Sequence, residues 1–155
     1  MTGLWILLAA VALAAVVGLV RARTDGRFGG RPAAQPEPAR ATPQEPTPQE
    51  PSAWDAVVAS GVAEAPGERA TLLQFSSAFC APCRATRRVL GEVAEVVPGV
   101  AHVEVDAEHH LDLVRRLKVV RTPTTLVLDA AGREVARAAG APTKQQVLAG
   151  LERAV

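Results

Sequence analysis

Hydrophobic and polar positions follow three different patterns along this chain. Leu4 to Val20 is a run of seventeen residues without a charge or a proline, which at about 1.5 Å per residue gives roughly 26 Å of helix, near the short limit for a membrane span. From Gly26 to Pro51 the apolar pattern disappears, and Pro, Gln, Glu, Ala and Arg take over, with prolines at 32, 36, 38, 43, 46, 48 and 51. That composition opposes helix and sheet. It predicts a semi-rigid, polyproline-leaning linker able to extend roughly 90 Å at about 3.1 Å per residue.

Beyond Pro51, periods of 3.6 and 2 alternate. Ser52-Ala53-Trp54-Asp55 caps a short helix with Trp54, Val57 and Val58 on its apolar face up to Gly61, and residues 62 to 70, with Pro66-Gly67, read as a loop. Thr71 to Phe75 is a buried strand, and Ala81 to about Val97 is a helix carrying Val89, Val93, Val96 and Val97. After the Pro98-Gly99 turn, Ala101 to Asp106 alternates as a strand with Val103 and Val105 on one face. Glu108 to Lys118 follows as a helix with Leu111, Val114 and Leu117, and Thr124 to Leu128 as another strand. Asp129 to Gly132 is a hairpin turn, Arg133 to Ala138 the return strand, and Thr143 with Gln146 a capping box for a last helix. The pattern predicts an α/β fold with a central mixed sheet of four to five strands flanked by helices. Residues 1–22 form the apolar segment, 23–51 the linker and 52–155 the domain.

Composition and charge refine the N-terminal reading. Met1-Thr2-Gly3 lacks the basic residues that open a cleavable signal, and no cysteine follows the apolar run, so an uncleaved transmembrane anchor is expected. Arg21, Arg23, Arg27 and Arg31 crowd its C-terminal flank against a single acid, Asp25. The positive-inside rule then predicts a single-pass cell-membrane protein with a cytoplasmic domain, an extracytoplasmic domain being the alternative. A net charge of +1, with two tryptophans, three phenylalanines and no tyrosine, excludes the basic, aromatic-studded face that single-stranded nucleic acid requires.

The candidate chemistry lies in Cys80-Ala81-Pro82-Cys83, which holds the only two cysteines of the chain. Two thiols at this spacing can close and reopen a small disulfide or supply half of a metal site. Cys80 falls at a predicted helix N-terminus, where free N–H groups and the helix dipole stabilise a thiolate. Pro82 suits the first turn because it lacks an N–H that would be unpaired there anyway. Arg84, Arg87 and Arg88 add positive charge nearby, on what reads first as a solvated face. A metal-binding or metallochaperone reading would recruit His109 or His110 as further ligands. These histidines follow a strand expected to end away from the cysteines, and the redox reading is preferred.

The stretch Leu72 to Arg84, combining strand, aromatic, Cys-x-Pro-Cys and basic residue, resembles the thioredoxin family, and so does Arg121-Thr122-Pro123-Thr124, whose proline follows Cys80 by 43 positions. The resemblance covers roughly residues 52 to 155 and implies a thioredoxin-like fold and a protein-disulfide reductase. It implies that Cys80 is the exposed nucleophile and Cys83 the resolving thiol, as access at a helix start also suggests. It implies a cis bond at Pro123 facing the cysteines, and substrate contacts from Phe79, Ala81, Pro82, Thr122, Pro123 and Gly140. Partners would be disulfide-containing proteins and a separate electron-donating reductase. No cofactor is expected, since no Gly-x-Gly-x-x-Gly occurs. An extracytoplasmic thiol reductase of the cytochrome c maturation type is the runner-up. Three departures stand out. Phe79 replaces a common tryptophan, Gln74 occupies the place of a buried acid, and His102 that of its lysine partner. Because an amide cannot take a proton, His102 becomes the candidate for proton transfer with Cys83.

Overall fold

The computed structural model describes residues 2–24, 28–29, 52–63 and 65–154. The element order is α1 (Thr2–Thr24), β1 (Phe28–Gly29), α2 (Ala53–Ala59), β2 (Ala70–Ser76), α3 (Ala81–Val96), β3 (Val100–Asp106), α4 (Leu111–Arg116), β4 (Thr124–Asp129), β5 (Glu134–Ala139) and α5 (Lys144–Leu151). The sheet runs β1-β5-β4-β2-β3, with β2 and β3 parallel and every other pair antiparallel.

Alternation along β2 explains the layers. Leu72 joins Leu90, Val93, Val127, Val147 and Leu151 on the α3/α5 side, while Leu73 and Phe75 join Trp54, Val57, Val105, Leu113 and Leu126 on the α2/α4 side. Because both faces are covered, β2 is buried along its whole length, as expected of a central strand with helices on either side. Capping follows the sequence: Ser52 with Asp55 and Thr143 with Gln146 both form reciprocal capping boxes.

One helix and one expected linker differ from the sequence pattern by more than a residue or two at an end. The helix predicted from Glu108 to Lys118 shortens to Leu111–Arg116. Asp106 Oδ1 accepts from the Glu108 N–H at 2.8 Å, a local turn that competes with helix formation, and Lys118 adopts φ 52 at the other end. The stretch expected to be linker contributes a strand. Phe28 and Gly29 pair with Ala138 and Arg137 on the outer edge of β5, and the Phe28 ring lies over Gly150, where an added Cβ would stand 3.1 Å from Phe28 Cγ. An otherwise open edge and a glycine that lets the ring approach account for this docking. The proline-rich positions 32 to 51 lie outside the described residues.

The N-terminal helix forms, but among the described residues no helix is long and apolar enough to cross a membrane. The charge-free run stops at Val20, with Arg21 and Arg23 in the last turns of α1, so its length of roughly 26 Å falls short of a hydrocarbon core of about 30 Å. The expected transmembrane anchor, the single-pass membrane location and the choice of membrane side built on the arginines therefore do not hold.

Candidate active site

Cys80 is the N-cap of α3, with extended backbone (φ −91), and its sulfur accepts the Cys83 N–H at 3.1 Å. Pro82 lies in the first turn, where its missing N–H leaves nothing unpaired. Cys80 and Cys83 are joined as a disulfide with their Cα atoms 5.2 Å apart. Exposure separates their roles: Cys83 is 2 % exposed, whereas Cys80 is half-buried and Ala81 and Pro82 are exposed. Phe79 is 99 % exposed. It projects beside the cysteines as an open apolar surface and forms no part of the core.

A second loop faces this helix start. The Thr122–Pro123 peptide is cis, and the Thr122 and Ser77 hydroxyls lie 3.1 Å apart, tying the loop before β4 to the loop after β2. Gly140, at φ 100, donates its N–H to the Pro123 carbonyl at 2.8 Å; that left-handed backbone favours glycine. Pro82, Arg121, Thr122, Pro123, Gly140 and Gln146 are among the residues lining a shallow cavity of about 350 Å³. Arg121 donates to the Ala139 carbonyl at 2.6 Å along its rim. The fold thus brings Pro82, which lies between the two cysteines, together with Thr122, Pro123 and Gly140 around one cavity.

Beneath Cys83 lies Gln74, fully buried. Its Nε2 donates to the Cys83 carbonyl at 3.0 Å and to Ser76 Oγ at 2.7 Å. A carbonyl only accepts, so the amide orientation is determined and Oε1 points the other way, 3.1 Å from His102 Nε2. That oxygen also only accepts, which puts a proton on Nε2 and leaves Nδ1 as the nitrogen that titrates. Gln74 thereby links the Cys83 carbonyl to His102. Burial holds the His102 pKa below its ordinary value; Glu104 pulls it up and Arg87 pushes it further down. Glu104 itself is ion-paired to Arg87 at 2.6 Å. Burial pushes the Glu104 carboxyl up, yet hydrogen bonds from Arg87 and Ser76 and the nearby positive charge outweigh it and leave the pKa lowered.

His110 is the N-cap of α4. His109 Nδ1 is 2.8 Å from Asp106 Oδ2 on an exposed turn, and among the described residues no group of three or more His, Cys, Asp or Glu is arranged to hold a metal. Sequence reasoning passed over Ser77, which ties the two loops, and Thr86, which lies on the buried stripe of α3 with Cys83, Leu90 and Val93. Spacing from Cys83 was the available signal for Thr86: a polar residue at i+3 from a buried cysteine shares its face.

Comparison with known proteins agrees with this geometry. The family model of the thioredoxin-like domain matches residues 58–154. A thioredoxin H-type of Fagopyrum esculentum is 33% identical over 70 residues, 45% of this chain and 60% of that relative, so the alignment spans less than two thirds of its length. Among solved structures, Fasciola hepatica thioredoxin aligns with a TM-score of 0.51 at 24% identity, covering 57% of this chain and 84% of that one. A mutant thioredoxin from Halobacterium salinarum aligns at 0.53 and 20% identity, covering 64% and 80%. These structural likenesses speak for the fold, and the family match extends over well more than half of the sequence. With a Cys-Ala-Pro-Cys disulfide capping a helix opposite a cis proline, the chain belongs to the thioredoxin-like domain family.

Proposed function

We propose that this protein reduces protein disulfides by dithiol–disulfide exchange, with Cys80 as nucleophile and Cys83 as resolving thiol. The observation that carries the reading is the placement of the Cys80–Cys83 pair at the start of α3, with Cys80 half-buried and Cys83 enclosed. In the reduced protein, the Cys80 thiolate attacks one sulfur of a substrate disulfide, forming a mixed disulfide and releasing the other substrate sulfur as a thiolate. The Cys83 thiolate then attacks Cys80 Sγ, closing the protein disulfide and breaking the mixed one. Two electrons pass from protein to substrate, and solvent protonates both departing thiolates.

The cavity between Pro82, Thr122–Pro123 and Gly140 suits an extended substrate segment, and Phe79 offers it an apolar contact. The oxidised pair must be reduced again by an external dithiol donor, for which we assign a separate reductase; the chain's own residues need no bound cofactor for the exchange. His102 receives a supporting part. By donating Nε2–H to Gln74 it holds the amide that holds Cys83.

The test is reduction of insulin disulfides with dithiothreitol as electron donor. The Cys83→Ser variant should accumulate a mixed disulfide through Cys80, visible by mass spectrometry and released by excess thiol, while Cys80→Ser should neither trap nor reduce. Substrate reduction surviving in Cys80→Ser would overturn the assignment.

A further inference from the structure

Cys83 changes its chemical state in every turnover, and its surroundings must serve both states. As half of a disulfide, its sulfur needs no hydrogen bond. As a buried thiolate, it does. The polar side chain bonded to this residue, Gln74, reaches its carbonyl and not its sulfur, and has no donor to spare for a thiolate. Both Nε2 hydrogens are spent on Ser76 and Cys83, and Oε1 receives His102. One turn along the same buried stripe of α3 stands Thr86, 1 % exposed, whose Oγ1 has no hydrogen-bond partner among the described residues. Residues i and i+3 of a helix are surface neighbours, with about 5–6 Å between Cβ atoms. A buried orphan hydroxyl is costly and calls for a reason. The usual escape, a bond to the carbonyl one turn back, is not taken here.

We propose that the Thr86 hydroxyl is the hydrogen-bond partner of the Cys83 sulfur in the dithiol form. The inference rests on the disulfide-exchange reading and assigns a residue to its second step. When the Cys83 thiol gives its proton to solvent, Thr86 donates O–H to the thiolate, stabilising the attacking species where neither Gln74 nor Nε2 of His102 accepts a proton. The thiolate then bonds to Cys80 Sγ, the Cys80–substrate bond breaks, and the substrate sulfur leaves with the electron pair and is protonated by solvent. Closure of the ring strips Thr86 of its partner, which is the state observed in this disulfide form.

This predicts a separation of stability from activity. Thr86→Val keeps the shape and removes only the orphan group, so the disulfide form should melt at the same temperature or higher. In the reduced variant, carbon-13 NMR of the Cys83 Cβ should show the thiol titrating about one pH unit higher, and single-turnover resolution of the mixed disulfide should slow about tenfold at neutral pH. The first attack by Cys80 should keep its rate, and Thr86→Ser, which retains the hydroxyl, should restore both readouts. Unchanged Cys83 titration in Thr86→Val, or a lower melting temperature of its disulfide form without rescue by Thr86→Ser, would overturn the proposal. Should wild-type protein fail to reduce insulin, the functional reading falls, whereas the Cys83 titration still decides the role of Thr86.

Discussion

Neutral His102 suits this fold better than charged His102. Burial depresses its pKa from the ordinary 6.5, Arg87 on α3 pushes the same way and Glu104 on β3 opposes. Because β3 is the sheet edge, only β2 and α3 pack on this face, and β2 presents the uncharged Gln74. As pH falls through 6.5, the unfolded chain binds the proton first. The contribution of His102 is therefore complete above that value and is lost as pH drops toward the depressed folded-state pKa. Replacing His102 by Asn should flatten the pH dependence of unfolding free energy as pH falls below the ordinary histidine value of 6.5, as read by urea titration. Parallel losses in wild type and variant across that window would show that another group titrates. Glu104 acts lower: its pKa is held below the ordinary 4.5, so its contribution is present above that value and is lost as pH falls further.

At the scale of elements, the loops and edges carry the least forgiving positions. Gly132 turns the β4–β5 hairpin at φ +73, and a Cβ there would come within 2.4 Å of the Trp54 Cβ. The α2 start packs on this turn, and the Trp54 backbone N–H donates to the Gly132 carbonyl at 3.1 Å. A Gly132→Ala change meets both a left-handed backbone and a backbone-proximal clash, and should cost about 2–4 kcal/mol in chemical denaturation. A loss under about 0.5 kcal/mol would mean that the hairpin and α2 separate freely. The strand β1 is the opposite case, held by two residue pairs and one ring on Gly150.

The whole molecule places its chemistry where the parallel strands β2 and β3 end and α3 begins, with the hairpin side of the sheet supplying the cis-proline loop. Both core clusters draw almost entirely on residues from Ala53 onward, Phe28 being the exception. We assign residues 52–155 as the functional domain on that basis. A chain starting at Ser52 should fold cooperatively and retain insulin reduction within about twofold, while losing about 1–2 kcal/mol with the cover over Gly150. Loss of the folding transition in that fragment would show that α1 or β1 is integral to the domain.

Local pattern alone was enough for the existence of the elements from α2 to α5, though not for the ends of α4, and for singling out the Cys80/Cys83 pair, because each depends on residues close in sequence: periodicity of apolar side chains, capping boxes, a helix-opening dithiol; the Thr122-Pro123 loop was singled out by family resemblance. Local hydropathy misled at Leu4 to Val20, where an apolar run too short for the bilayer suggested an anchor. Composition likewise hid β1, since what Phe28 does depends on Gly150, more than a hundred positions away. Gln74 shows the same limit most clearly. Its sequence position marked it only as a missing acid, whereas the order β4-β2-β3 beneath α3 makes it the bridge from Cys83 to His102. Amino-acid order determined which groups could react and which segments would be helix or strand. The partner of each buried polar group, and hence which residue serves Cys83, was decided by tertiary structure, because hydrogen bonds are satisfied across strands and layers that no local pattern sets side by side.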